Sequence, residues 1–247
     1  MISGRVNLCE SIRFILSRER FREKSFVSSP DRVKTERMSR ARYQKLSDKE
    51  VSQILAEVGS LLPTGFSGTD PYPVILKRSY SFYSGWSALE INRASDIDSE
   101  PLLLLMPAKP DKSQTILVDY RMETIRRLNK TVPLKLNAAN AAEYASFVLK
   151  YTRGEEGRFI PLKEIEELSW REEPPNAAKR GIASLIQPPR LVEADDTAHS
   201  YAVMLCVLFQ RHLFSLSLQI DRDGTLHVLD RTLLIEDLPV QDDIIRL

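Results

Sequence analysis

Apolar residues recur at helical spacing in two stretches of the chain and at alternate positions in several others. Val51, Ile54, Leu55, Val58, Leu61 and Leu62 lie on one face of a 3.6-residue repeat. Ser47 stands three residues before Glu50, the spacing of a capping box, and Pro63 and Gly65 stop the pattern. Ala141, Tyr144, Ala145, Val148 and Leu149 mark a second helix, with Asn137 expected to open it and Gly154 to cap its end.

Between these helices the pattern is that of strands. Segments 74–82 and 88–92 flank Ser84-Gly85, which predicts a hairpin. The run 102–106 is apolar without interruption between Pro101 and Pro107, as suits a strand buried on both faces. A further strand is expected over 115–120, partial helical character over 122–128, and a short strand over 134–136. Residues 157–162 read as an extended return, while 162–168 fit neither period. Pro174-Pro175 and Pro188-Pro189 bracket a segment read as loop apart from 182–186.

The C-terminal third reads as successive strands over 191–193, 200–209, 213–221 and 225–234. Asp221-Arg222-Asp223-Gly224 turns the last two, since glycine there accepts a positive φ. Leu213, Ser215, Ser217 and Gln219 face one way, and Phe214, Leu216, Leu218 and Ile220 the other, which implies one packed and one wet face. The expected fold is α+β: an antiparallel β-sheet, a C-terminal meander, with helices packed on one face, all within one domain over 46–247. Residues 201–220 have about the length of a membrane span. Gln210-Arg211-His212 falls at their centre, however, where a charge costs at least about 2.5 kcal/mol, so two strands and a polar turn are expected and no membrane span.

Charge separates the first 45 residues from the rest. Residues 1–46 hold twelve Lys or Arg against five acidic residues, while the whole chain is only +1. This basic stretch, with few large apolar residues after Phe26, is read as a flexible N-terminal arm, and Met38 is a second candidate start beside Met1. Apolar residues make up 43% of the chain, enough for a core, and the two cysteines, Cys9 and Cys206, do not form a disulfide scaffold. A soluble, cytoplasmic protein is expected, with Cys206 as a small buried hydrophobe.

Signatures of chemistry fail one by one. Asp221-Arg222-Asp223-Gly224-Thr225 begins like a calcium loop, but the places for glycine and glutamate hold Leu226 and Thr232. Asp96, Asp98 and Glu100 read as a solvated acidic loop. His199, His212 and His227 do not fall at zinc-ligand spacing with Cys206. No G-x-S-x-G, G-x-G-x-x-G or Walker loop occurs, and Gly65-Phe66-Ser67-Gly68 lacks basic flanks and a following helix. No catalytic residue, cofactor or metal site is assigned.

Two surfaces remain. Lys77, Arg78, Tyr80, Tyr83 and Trp86 bring cations and aromatics together, a combination that can anchor a partner or stack bases. The plainer reading is a strand end packed into the core, with Phe82 the most buried. Arg18, Arg20, Arg22, Arg37, Arg40 and Arg42 in the arm can neutralise phosphates, or simply solubilise a tail. The expectation is a non-catalytic binding module with a protein partner, with nucleic-acid binding through the arm as the alternative, or an enzyme whose site is not visible in sequence. The arm alternative predicts a mobility shift of labelled nucleic acid that weakens steeply with salt and vanishes for a chain starting at Met38; binding that persists in high salt overturns it.

Overall fold

Two antiparallel sheets and four helices make up the computed structural model, which describes residues 44–63, 73–92, 101–108, 111, 113–154, 157–195 and 197–241. Arm residues 1–43, the Gly65–Gly68 loop and the Asp96, Asp98, Glu100 run lie outside the described residues.

The first sheet has the order β1 (Gln44–Lys45), β2 (Val74–Arg78), β3 (Trp86–Asn92), β4 (Leu102–Pro107) and β5 (Ile116–Val118). Gln44 and Lys45, placed in the arm by the charge pattern, pair with Lys77 and Leu76. The predicted hairpin forms between β2 and β3, with Arg78 opposite Ala88. Its connection contains a 3-10 turn, Ser81–Tyr83, and Gly85 at φ 82°, where a side chain is disfavoured. Strand β4 is buried on both faces, as its unbroken apolar run implies. Leu103 and Leu105 enter the central core, while Leu104 and Met106 face a second core on the outside.

That outer core is covered by α1 (Asp48–Val58). Its capping box is complete: the Ser47 main-chain N–H donates to Glu50 Oε2 at 2.9 Å, and the Glu50 N–H donates to Ser47 Oγ at 3.4 Å. The Ser47 hydroxyl, which donates to Glu50 Oε2 at 2.7 Å, and the Ser47 N–H, with a smaller contribution from Lys77, hold the Glu50 carboxyl below its ordinary range. The stabilisation is therefore present above the usual carboxylate range and lost as pH falls through the lowered value.

Helices α2 (Met122–Thr131) and α3 (Ala141–Lys150) pack in the central core. The sequence pattern places the start of α3 at Asn137, but Asn137 instead opens a turn. Asn137 Oδ1 accepts from the N–H groups of Ala139 and Asn140, and the helix begins four residues later. Nor does Gly154 cap it. The helix ends where the Tyr151 N–H bonds Phe147 O and the Thr152 hydroxyl bonds Val148 O, and Gly154 belongs to β6 (Arg153–Gly154). Residues 134–136 join no sheet ladder; the Lys135 N–H is used by Phe82 O at 3.0 Å.

The second sheet runs β11 (Leu226–Ile235), β10 (His212–Ile220), β9 (Ser200–Phe209), β7 (Gly157–Leu162) and β6. Strand β8 (Arg190–Asp195) pairs with the first half of β9, on the edge that β7 occupies along the second half. The apolar stretch 201–220 divides at the Gln210-Arg211 turn into β9 and β10, and no helix among the described residues is long and apolar enough to cross a membrane.

Alternation along β10 sends Leu216, Leu218 and Ile220 into the central core, while Ser215, Ser217 and Gln219 lie on the other face. That other face is not wholly wet. Leu213, with Leu162, Cys206 and Leu208, is covered by Ile182 and Ile186 from the end of α4 (Asn176–Leu185) and by Leu238 and Val240. The proline-bracketed segment thus forms a helix over Asn176–Leu185, where a loop was expected apart from 182–186. Pro175 sits at its N-cap, a place that needs no N–H, and Ala177 and Ala178 favour the helix without marking a face.

The Asp221–Gly224 turn is tied to the helices through the half-buried Asn129 and the buried Tyr83 and Tyr144. Tyr83 Oη donates to Asn129 Oδ1 at 2.6 Å, and Asn129 Nδ2 donates to Tyr144 Oη at 2.7 Å and to Asp223 O at 3.0 Å. Tyr144 Oη donates to Gly224 O at 2.9 Å. Gly224 has φ 83°, and a Cβ there meets Tyr144 Oη at 2.2 Å and Asn129 Nδ2 at 2.5 Å. Gly224→Ala is expected to cost about 2 kcal/mol or more in urea unfolding, from left-handed strain plus displacement of these bonds. Tyr144→Phe, which removes only the hydroxyl, is expected to cost about 1 kcal/mol. An unchanged urea midpoint for Gly224→Ala overturns this account of the turn.

Candidate functional site: a groove beside helix α1

Helix α1 is too short to cover the outer face of the first sheet, and a groove of about 330 Å³ remains along its side. Glu50, Gln53, Ile54 and Glu57 form the helical wall, at positions that share one face of an α-helix. Strand alternation sets the floor. Lys77 lies opposite Leu89, Ser87 opposite Met106, and all four point to the outer side with Leu104. Leu46 and the turn at Pro107-Ala108 close the ends, the latter held by the Ala108 N–H to Gly85 O bond at 2.8 Å.

The groove offers an apolar floor with one cation in it and two carboxylates on the rim. Its volume is at the lower end of the roughly 300–1,000 Å³ typical of small-molecule sites. Among the described residues that line it there is neither histidine nor cysteine, and Ser87 is the one hydroxyl. Among the described residues no group of three His, Cys, Asp or Glu is placed to hold a metal ion. Such a groove can take up an apolar group beside a cation and two carboxylates.

The five residues singled out from the sequence do not share a surface. Lys77 lines the groove, but Arg78 points inward, where its Nη2 meets Glu143 Oε1 at 2.5 Å and its guanidinium lies 4.6 Å from the centre of the Tyr80 ring. Tyr80 is stacked on Phe82 with ring centres 4.8 Å apart, and both are buried. Tyr83 is fully buried, edge-on to Phe82 and Phe147, and burial pushes its hydroxyl far above the usual tyrosine range. Trp86 is half-buried against the same core. The aromatic rings are packing, and neither Tyr80 nor Tyr83 presents a face to a base. Arg18, Arg20, Arg22, Arg37, Arg40 and Arg42 lie outside the described residues.

The histidines do not converge. His199 is exposed in a turn at φ 49°, and His212 Nδ1 accepts the Asp237 N–H at 3.2 Å. His227 Nε2 lies 2.9 Å from Asp221 Oδ2, whose other oxygen accepts from Gln219 Nε2 at 3.1 Å. This is a His–carboxylate pair, but the buried His227 Nδ1 has no hydrogen-bond partner among the described residues, so no third member of a relay is present. The pair braces the hairpin turn whose sequence begins like a calcium loop. No family model, no curated protein and no solved structure matches the chain.

Sequence alone does not mark the groove, because Glu50, Gln53 and Glu57 are polar positions of an amphipathic helix; in the structure Ile54 and Glu57 are half-buried along it.

Cys206 is buried, accepts the Gln187 N–H at 3.3 Å and lies 3.4 Å from Leu185 O. Burial pushes its thiol above the usual range, so less thiolate is present at any given pH. In a Cys9→Ser chain, a thiol reagent at pH 8 is expected to label Cys206 only as the protein unfolds. Stoichiometric labelling within seconds in native buffer overturns that placement.

Proposed function

We propose that the chain is a non-catalytic binding module that holds a short extended segment of a partner protein in the groove beside α1. The observation that carries this reading is the groove's composition: apolar floor residues Leu89 and Met106 beside Lys77, Leu46 at one end, and Glu50 and Glu57 on the rim. An apolar side chain of the partner fits the floor, and charged neighbours on the segment meet Lys77 and the two carboxylates. Peptide segments are commonly recognised in this way, with pockets giving specificity and flanking charges setting register. The nucleic-acid alternative draws nothing from Tyr80 and Tyr83, which are occupied in the core.

The test places a photo-crosslinking residue at exposed Gln53 and, as a control on the far sheet, at exposed Leu229, then compares the adducts formed in cell extract. A discrete protein adduct at position 53 is expected, and it is expected to disappear when Ile54→Arg fills the groove while the melting temperature stays within a few degrees. An adduct indifferent to Ile54→Arg, or the same adducts from both positions, overturns the groove as the binding site.

A further inference from the structure

We infer that the outward face of α2 and the turn beside it form a second, independent site that binds the phosphate backbone of nucleic acid. From 121 to 135 the chain carries five cations, Arg121, Arg126, Arg127, Lys130 and Lys135, against one acidic residue, Glu123. The single carboxylate is turned to Arg126, 3.8 Å away, and Arg121 is 3.7 Å from Asp119. Arg127, Lys130 and Lys135 are exposed and have no ion-pair partner among the described residues. Some cations elsewhere are paired, Arg78 to Glu143, Lys150 to Glu90 and Arg211 to Asp237.

The cations sit on a fixed mount. Ile125 and Leu128 anchor the opposite side of α2 in the central core, and Asn129 is bonded to Tyr83, Tyr144 and Asp223. Those bonds place exposed Arg222 in the turn that Asn129 holds, between Asp221, which is paired with His227, and the exposed carboxylate of Asp223. Lys135 is fixed by its own N–H to Phe82 O, and its carbonyl accepts from Asn140 Nδ2 at 2.9 Å. Arg127 and Lys130, three residues apart, project from the same side of the helix.

This charge stands out because the chain after residue 46 is net negative, near −6, once the arm's +7 is set aside. A protein interface needs a central apolar anchor, whereas an anionic bilayer also attracts a row of cations and is separated from nucleic acid by the vesicle comparison below. Among the described residues the exposed large hydrophobic residues, Leu185, Val192 and Leu229, lie on α4 and the second sheet, and none is on α2. A row of cations without an apolar centre matches a repeating phosphate chain, read without sequence preference.

The experiment is fluorescence anisotropy of a labelled random-sequence DNA duplex titrated with the full chain at two salt concentrations. With about four phosphates neutralised, affinity falls roughly 100-fold between about 50 and 200 mM salt. Arg127→Glu with Lys130→Glu is expected to lower the slope of log affinity against log salt by about 1.8, since each lost contact removes about 0.9. Arg127→Lys with Lys130→Arg is expected to retain wild-type binding. Replacing Arg18, Arg20 and Arg22 with Gln is expected to leave the contribution of α2 in place. Because the reversed positions are exposed, an unchanged melting temperature is expected in every variant. No binding by the wild-type chain at about 50 mM salt overturns the inference, as does an unchanged slope in the reversed variant. Binding to phosphatidylserine vesicles but not to the duplex assigns the face to membranes and overturns it equally. None of these outcomes bears on the groove beside α1, which is read by crosslinking at position 53.

Discussion

Helix α3 is enclosed between the two sheets, and the arrangement of the rest of the molecule follows from that burial. Ala141, Tyr144, Ala145, Phe147, Val148 and Leu149 are all buried, so the helix is apolar well beyond the single stripe of a surface helix. On one side it meets Ala88, Leu103 and Leu105 of the first sheet, and on the other Val203, Leu205, Val207 and Leu218 of the second. Each fully buried large side chain contributes about 1.5–3 kcal/mol, so this layer dominates the energetics. Both sheets must present an apolar inner face to it.

Polar contacts orient the layer rather than supply its stability. Glu143 in the first turn of α3 pairs with Arg78, and Lys150 in the last turn reaches Glu90 at 2.7 Å. Each charge sits at the helix end where the peptide dipole favours it. Lys150 remains 39% exposed, and such pairs are worth at most about 1 kcal/mol. Glu90 is different: its side chain is 9% exposed and is also bonded by the Tyr151 hydroxyl, so its partners are what make a buried carboxylate tolerable. The two ion pairs lock the first sheet against α3 at both ends, and the Tyr83–Asn129–Tyr144–Gly224 network does the same for the second.

With the inner faces consumed in this way, the surfaces proposed for recognition lie on the outside. Helix α1 leaves the groove on the first sheet, and α2 turns its cations outward because its apolar side is spent on the core. The outer edge of β11 is less inviting. Its register against β10 shifts twice, and Asp230 and Arg231 stand at its middle, features that discourage another strand from pairing there.

The sequence by itself determined which segments are helix or strand wherever a local period was long enough to read. The Ser47–Glu50 cap, the two-sided burial of β4 and the β9–β10–β11 meander were all legible, because alternation and capping are properties of neighbouring residues. Helix α4 was not, because only Ile182 and Ile186 face the core and two positions do not make a period. Only the tertiary structure decided that Tyr80 and Tyr83 are core, that Lys77 and Arg78 part to opposite sides of a sheet, and that the Glu50–Glu57 stripe borders a groove. Those outcomes depend on which surfaces meet across the sandwich, a matter of contacts between residues far apart in the chain that no local pattern records.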